Sequence, residues 1–174
     1  MKKFILFLMV FMMLPACAEV LTGGVKYTVN DAKIELQHNR PSITDFIVTR
    51  NNFVDKDRNA NYFALLKGKT NLNDRILALF SDGTYAVNYK NDLKHVWYYD
   101  KDGMLINVEF RSSLEFPYGS YKYSPDGELV NMSLRVSKDE TFIFSSFGEF
   151  LAHWIGDNCY DENGNIVMTR KIMK

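Results

Sequence analysis

A short pattern that recurs in the second half of the chain decides the fold. Its three clear copies are Tyr99-Asp100-Lys101-Asp102-Gly103-Met104-Leu105-Ile106, Tyr123-Ser124-Pro125-Asp126-Gly127-Glu128-Leu129-Val130 and Tyr160-Asp161-Glu162-Asn163-Gly164-Asn165-Ile166-Val167. A weaker copy begins at Phe144 and a shortened one at Phe80. The shared turn glycines are Gly83, Gly103, Gly127, Gly148 and Gly164. Internal similarity at this spacing predicts one supersecondary unit that is used repeatedly.

Each copy of the pattern predicts a β-hairpin. An aromatic residue ends one strand, Asp or Ser opens the turn, and Gly supplies the positive φ that a side chain would strain. Between the turns, stretches such as residues 132–136 alternate apolar with polar residues, which is typical of half-buried strands. The sequence therefore predicts a mainly β protein with little helix. We expect an antiparallel meander of repeated β-hairpins that forms a curved sheet or a partly closed barrel.

These residues also carry a family resemblance. Residues 98–106, followed by residues 119–129, resemble the bacterial MORN-variant repeat and are similar to the YD-type repeats of large bacterial surface proteins. The resemblance covers residues 76–170 and implies a scaffold or binding surface. The sequence departs from it at two points, because Phe147 replaces the turn Asp or Asn, and Val96 stands where the next copy has Gly119.

A local aromatic cluster suggests where such a surface would bind. Residues 97–104 are similar to the cell-wall-binding repeats that cage choline or glycan between neighbouring rings, although the Trp-Tyr-Tyr cluster occurs once in this chain. Aromatic residues in strands more often belong to the core. If the sheet binds through its aromatics, we expect Trp97, Tyr98 and Tyr121 to form a contiguous exposed patch.

The first 18 residues predict a secretory signal peptide. Lys2 and Lys3 form a basic start, residues 4–14 are an unbroken apolar run, and an Ala-x-Ala cleavage pattern ends at Ala18. The apolar run is too short to span a bilayer stably. We therefore expect an exported protein that is periplasmic or secreted.

A second interpretation rests on the same residues. The run Leu14-Pro15-Ala16-Cys17 resembles the lipobox of bacterial lipoproteins, in which the cysteine is acylated and becomes the first residue. Pro15 departs from that pattern, since a small or β-branched residue usually occupies its position. The alternative expectation is a protein that is lipid-anchored to the membrane through Cys17.

Charge and composition exclude several classes of partner. The chain has 21 Lys and Arg against 21 Asp and Glu, and removal of residues 1–18 leaves 19 against 21. This balance argues against a nucleic-acid partner. No later stretch reaches the ~18 apolar residues of a transmembrane helix, so we expect no span in the mature chain. The sequence leaves the oligomeric state open.

Residues 19–75 do not follow the repeat, and we assign them to the same domain as residues 76–174. Residues 25–29 and 32–36 flank a two-residue Asn30-Asp31 turn, which would place alternate apolar side chains on one face. This pattern predicts an N-terminal β-hairpin. Residues 62–66 and 75–80 are predicted as buried strands.

The segment at residues 41–61 is left undecided. Ser42 and Asp45 have the spacing of a capping box that opens a short helix, whereas the β-branched residues at 43–44 and 47–49 favour a strand. Residues 51–61 are polar and charged, which is typical of a loop.

Catalytic motifs are sparse. His38, His95 and His153 lie far apart and lack the spacing of a zinc site, so we expect no metal and no cofactor. His153 and Cys159 are near neighbours in sequence, but no glycine-flanked nucleophile motif surrounds Cys159.

Two functions remain on the sequence alone. The favoured one is an exported cell-envelope protein, a non-enzymatic binding or scaffold module that presents a β-sheet surface to a protein or glycan. The alternative is a small envelope hydrolase that uses Cys159 and His153.

Overall fold

The computed structural model describes residues 26–38 and 72–174. The predictions for residues 1–18 (including Cys17), 41–61 and 62–66 lie outside these described residues. The helix and strands are α1 Val29–His38, β1 Arg75–Phe80, β2 Tyr85–Tyr89, β3 Asp92–Tyr99, β4 Leu105–Arg111, β5 Tyr118–Tyr123, β6 Leu129–Arg135, β7 Glu140–Ser145, β8 Phe150–Ile155, β9 Asn158–Tyr160 and β10 Ile166–Met173.

The strands form a closed barrel. Each strand pairs antiparallel with its neighbours in sequence, and β1 also pairs with β10 in a register that runs from Leu77 opposite Met173 to Phe80 opposite Arg170. The predicted mainly β meander of hairpins is confirmed, and the strand predicted at residues 75–80 is β1. Closure leaves the sheet without the unpaired edges that an open meander would expose.

The glycine turns have the predicted geometry. They join β1 to β2, β3 to β4, β5 to β6, β7 to β8 and β9 to β10, with glycine φ values from 81° to 88°. In the turn at Asp100, one carboxylate oxygen accepts hydrogen bonds from the backbone N–H groups of Asp102 and Met104, at 2.9 and 2.8 Å. The Asp161 carboxylate repeats this arrangement with residues 163 and 165. At these two turns, the aspartate that opens the turn therefore fixes its backbone.

The two ends of the barrel differ because the chain runs up and down. The five glycine turns lie at one end, here called the glycine-turn end. The other connections, at residues 90–91, 112–117, 136–139 and 156–157, lie at the opposite end, here called the linker end. The start of β1 and the end of β10 also lie at the linker end.

Contacts that cross the barrel identify its inner face. The Phe80 ring on β1 lies 6.1 Å from the Trp154 ring on β8, although β9 and β10 separate these strands in the sheet. Three strand spacings amount to ~14 Å along the sheet, so the two rings meet only through the interior. Side chains that alternate with Phe80 and Trp154 face outward.

The outer face carries the large apolar clusters. One cluster covers β1 to β4, and the other joins β5, β6 and β7 to α1. The cluster on β1 to β4 includes Tyr85 and Tyr99, whose rings stack at 5.1 Å. Gly119 lies beneath α1, where an added Cβ would meet the Leu36 side chain at 3.1 Å. The chain therefore packs its main hydrophobic core on the outside of the barrel wall.

The N-terminal hairpin prediction is wrong, because residues 29–38 form α1. Ala32 and Leu36 are buried against the outer face at 0% and 3% exposure, whereas Ile34 is 45% exposed. Buried residues four apart lie on one face of a helix, and the intervening Ile34 points away. The apolar residues of this segment alternate as they would in a strand. The buried ones, Ala32 and Leu36, are four residues apart, as in a helix.

A capping interaction explains why the helix begins where it does. The Thr28 hydroxyl oxygen accepts a hydrogen bond from the Asp31 backbone N–H at 3.1 Å, and the Asp31 carboxylate accepts one from the Thr28 backbone N–H at 3.0 Å. This reciprocal pair is a capping box. The hydrogen bonds from Thr28 also lower the pKa of Asp31. The residues interpreted as a hairpin turn therefore begin a helix.

The helix and hairpin interpretations predict different mutational effects. We expect Leu36→Ala to lower the free energy of unfolding by about 2–4 kcal/mol, because it leaves a cavity between α1 and the sheet. Ile34→Ala should change it by less than about 0.5 kcal/mol, because that side chain is exposed. Urea unfolding monitored by circular dichroism measures both. Equal losses for the two variants would contradict the helical packing.

The glycine turns predict a second effect on stability. At Gly127, φ is 88° and an added Cβ would have no atom within 4 Å, so any cost of substitution comes from the backbone alone. We expect Gly127→Ala to destabilise the protein by about 1–2 kcal/mol. Gly127→Asn should cost clearly less, because Asn tolerates positive φ. An unchanged urea midpoint for Gly127→Ala would contradict the assigned turn.

Candidate functional site

The three aromatic residues predicted to bind do not form an exposed patch. Trp97 and Tyr121 are 2% and 1% exposed and belong to the two outer-face clusters. Tyr98 alternates with Trp97 along β3 and therefore points to the inner face. The expectation of a contiguous exposed surface was wrong for a physical reason: these rings contribute to the core on one side of the sheet and to the interior on the other.

His153 and Cys159 are not brought together. On β8 and β9, His153 lies opposite Tyr160, and Trp154 lies opposite Cys159. Since neighbouring residues of a strand face opposite sides, His153 is on the outer face and Cys159 is on the inner face. The barrel wall therefore separates the two groups proposed for the hydrolase.

The environments of these two groups are those of structural residues. The His153 ring stacks on Phe142 at 4.1 Å, and its Nε2 lies 3.0 Å from a Glu140 carboxylate oxygen. Burial lowers the pKa of His153, while Glu140 acts in the opposite direction. Burial raises the pKa of the Cys159 thiol, with Arg170 opposing. A raised thiol pKa disfavours the thiolate that nucleophilic chemistry needs.

The inner face instead brings together a polar network. The Tyr98 hydroxyl donates a hydrogen bond to the Glu109 carboxylate at 2.6 Å, and Glu109 lies directly opposite Lys122 on β5. The Lys122 ammonium lies 3.7 Å from the centroid of the Tyr98 ring, a cation–π contact. Tyr98, Glu109 and Lys122 therefore contact one another across β3, β4 and β5.

Charge and burial oppose one another in this network. Burial raises the pKa of Glu109, but Arg111, Lys122 and hydrogen bonds from Tyr98 and Ser120 outweigh it, so the pKa falls below 4.5. Burial lowers the pKa of Lys122 below 10.5, and Glu109 offsets part of that change. Glu109 is therefore ionised at neutral pH.

Three arginines lie on the inner face towards the linker end. Each donates a hydrogen bond to a backbone carbonyl near that end: Arg111 to Leu93 at 3.0 Å, Arg135 to Lys138 at 2.6 Å and Arg170 to Gly156 at 2.7 Å. The guanidinium of Arg170 also lies over the Trp154 ring at 4.7 Å. These contacts anchor the three guanidinium groups to the backbone of the linker end.

Solvent reaches the inner network. The side chains of Arg111 and Glu109 are 16% and 13% exposed, and that of Arg170 is 16% exposed. Parts of these side chains therefore contact solvent.

The sequence contained a signal for this network that was not used. Val108 and Phe110 alternate with Glu109 and Arg111, and Tyr121 and Tyr123 flank Lys122. This alternation predicts that the charged residues share one face of the sheet. It does not reveal that this face is concave, because polar residues that alternate with apolar ones usually face bulk water.

Comparisons with known proteins return no match: no family model, no curated protein and no solved structure matches the chain significantly. The resemblance to MORN-variant and YD-type repeats therefore stays a prediction.

Within residues 26–38 and 72–174, no helix has the length and apolar character to cross a membrane. In the same ranges, no group of three or more His, Cys, Asp or Glu side chains is placed to hold a metal ion.

The ionised Glu109 should stabilise the fold in a pH-dependent way. We expect Glu109→Gln to lower the free energy of unfolding at pH 7 by about 2–4 kcal/mol, because Lys122 and Arg111 lose a buried counter-charge. A carboxyl whose folded-state pKa is lowered stabilises above its unfolded pKa and loses that effect as the pH falls through the folded value. The difference between wild type and variant should therefore shrink below about pH 4.5.

Glu128→Gln is the matched control, since Glu128 is exposed on a turn. It should change the free energy of unfolding by less than about 0.5 kcal/mol. Chemical denaturation at several pH values between 3 and 7 measures both variants. A difference between wild type and Glu109→Gln that stays constant over this range would contradict the assigned ionisation.

Proposed function

We propose that this protein is an exported, non-enzymatic binding module of the cell envelope that contacts a partner protein through the glycine-turn end of its barrel. Export is supported by the signal-peptide pattern of residues 1–18, which lies outside the described residues. The binding role is supported by apolar side chains that this end exposes to solvent.

One exposed surface carries the proposal. Among the described residues, six large apolar side chains near the glycine turns are more than two-fifths exposed, and we call them the apolar rim. The apolar rim comprises Met104 (66%), Val130 (43%), Phe147 (90%), Leu151 (48%), Ile166 (55%) and Val167 (55%). Exposed apolar side chains at one end of a protein suit a protein–protein contact site. A protein partner fits this set better than a glycan, because aliphatic side chains offer no hydrogen bonds to sugar hydroxyls.

Phe147 is the most informative member of the apolar rim. It occupies the position before the turn glycine, where the other copies have Asp82, Asp102, Asp126 and Asn163. The turn does not use the Phe147 side chain, since the Phe147 backbone N–H donates to the Ser145 hydroxyl at 3.2 Å. A phenyl side chain left 90% exposed gains little of the ~1.5–3 kcal/mol that full burial provides. Binding to a partner explains why a phenyl side chain is exposed at this position, whereas the stability of the fold does not.

The surroundings of Phe147 support the same surface. A small cleft lies between α1 and the β7–β8 turn, next to the Phe147 ring. It is lined by Lys33, Leu36, Gln37, Met132, Phe144, Ser146, Phe147 and Gly148. An exposed aromatic anchor beside a cleft is the arrangement that hot-spot residues of interfaces commonly have. The cleft offers a place for a side chain of the partner.

The proposal is tested by returning Phe147 to the residue type of the other turns. We expect Phe147→Asp to keep the thermal midpoint of wild type and to reduce partner capture by about tenfold or more, because an anchor of the interface is lost. Immobilised protein is incubated with cell-envelope extract from the source organism, and bound proteins are quantified by mass spectrometry. Asn163→Asp, a change at the equivalent position of another turn, is the matched control and should capture as wild type does.

Two results of the capture experiment would contradict this proposal. Capture that is equal for wild type, Phe147→Asp and Asn163→Asp would contradict the assignment of the apolar rim. Capture that falls equally in both variants would show that the partner recognises the turns in general, which would also overturn the role given to Phe147.

A further inference from the structure

The end of the barrel that carries the apolar rim is also strongly acidic. Its five glycine turns contain eight carboxylates and one lysine, Lys101. The carboxylates are those of Asp82, Asp100, Asp102, Asp126, Glu128, Glu149, Asp161 and Glu162. Lys33 of α1 also borders this end, beside Gly148. The connections of the linker end are nearly balanced, with three carboxylates and two lysines. The neutral formal charge of the whole chain therefore conceals a negative charge at one end.

Part of this charge is explained by the turns themselves. One carboxylate oxygen of Asp82 accepts hydrogen bonds from the backbone N–H and the hydroxyl of Thr84, and Asp100 and Asp161 likewise bond backbone N–H groups of their turns. The other five carboxylates are exposed, and within the described part of the chain they form no hydrogen bond or ion pair. We call them the free carboxylates: Asp102, Asp126, Glu128, Glu149 and Glu162. Their side chains contribute no polar contact to the fold.

The free carboxylates and the apolar rim occupy the same turns. Glu149 lies two residues after Phe147, and Glu128 lies two residues before Val130. A partner that covers the exposed apolar side chains therefore comes close to several carboxylates. Like charges that face each other across an interface cost binding free energy. An acidic protein, or the same end of a second copy of this chain, would be repelled.

The spacing of the free carboxylates suits a polypeptide with several cationic side chains. Consecutive glycine turns lie two strands apart in the sheet, which is ~10 Å along the barrel wall. Carboxylates of different turns therefore meet cations that are separated by a similar distance. An extended chain covers ~10 Å in three residues, so Lys or Arg side chains a few positions apart match this spacing.

We propose that the partner contacted by the apolar rim is a basic amphipathic polypeptide segment, which places Lys or Arg side chains beside the free carboxylates and an apolar side chain against Phe147. This inference rests on the function proposed above and adds the chemistry of the partner. The apolar contact at Phe147 supplies the anchor of the interface. The carboxylates speed the encounter and exclude partners of the wrong charge.

Synthetic peptides serve as probes of the wild-type protein. The first peptide contains Lys and Leu in equal numbers, spaced by Ser, the second replaces Lys with Glu, and the third replaces Leu with Ser. We expect the Lys–Leu peptide to bind saturably and each of the other two to bind about tenfold more weakly, because each lacks one of the two complementary features. Fluorescence anisotropy of labelled peptides measures the three dissociation constants.

Each comparison can overturn a part of the inference. Lack of saturable binding of the Lys–Leu peptide would overturn the site. Equal affinity for the Glu–Leu peptide would show that charge does not select the partner. Equal affinity for the Lys–Ser peptide would show that charge alone attracts the peptide, which would overturn the role of the apolar contact.

Matched variants test where the charge acts. The double variant Glu149→Gln/Glu162→Gln removes two free carboxylates and should weaken binding of the Lys–Leu peptide by about fivefold or more. The control Glu115→Gln/Asp139→Asn removes the same charge from exposed residues of the linker end and should stay within about twofold of wild type. Equal weakening by the two double variants would show general attraction to a negative protein and would overturn the site.

The capture experiment with cell-envelope extract separates this inference from the function on which it rests. Glu149→Gln/Glu162→Gln should reduce capture, as Phe147→Asp does. If Phe147→Asp reduces capture and the double variant does not, the partner is not selected by charge, and the apolar rim keeps its proposed function. If neither variant reduces capture, the proposed function fails together with this inference.

Discussion

The pairing of β1 with β10 is the constraint on which the rest of the structure depends. It joins the first and last hairpins through four registered residue pairs and converts a meander into a closed wall. Without it, Glu109, Arg111 and Lys122 would occupy the polar face of an open sheet, in contact with bulk water. With it, these neighbouring side chains are enclosed inside the barrel, where charges interact more strongly than in water. Closure therefore determines which polar residues form a site.

The hairpins were predictable because their information is local. Each turn carries its own determinants, such as Asp100, which bonds two backbone N–H groups, and Gly103, which takes the positive φ. Closure was not predictable to the same degree. It depends on how strand twist accumulates over ten strands and on a register between residues nearly a hundred positions apart. Neither quantity can be inferred from a single repeat.

The site was harder to predict than the fold. Trp97 and Tyr121 were expected to be exposed, yet the outer face of the barrel packs its own hydrophobic core, which includes Leu36 of α1. The alternating pattern around residues 29–36 was consistent with a hairpin, and only the capping box of Thr28 and Asp31 distinguished a helix. In both cases the sequence identified which residues are apolar. The side of the wall on which they pack follows from tertiary structure.

The closed strand order has a consequence for how the chain is connected. In a ring of hairpins no hairpin is intrinsically first, and the start of β1 lies beside the end of β10, with Leu77 opposite Met173. Their pairing takes the place that a hairpin takes between the other strands, so each of the ten strands has two hydrogen-bonded neighbours. The strand order is in this sense cyclic, although the chain that forms it is linear.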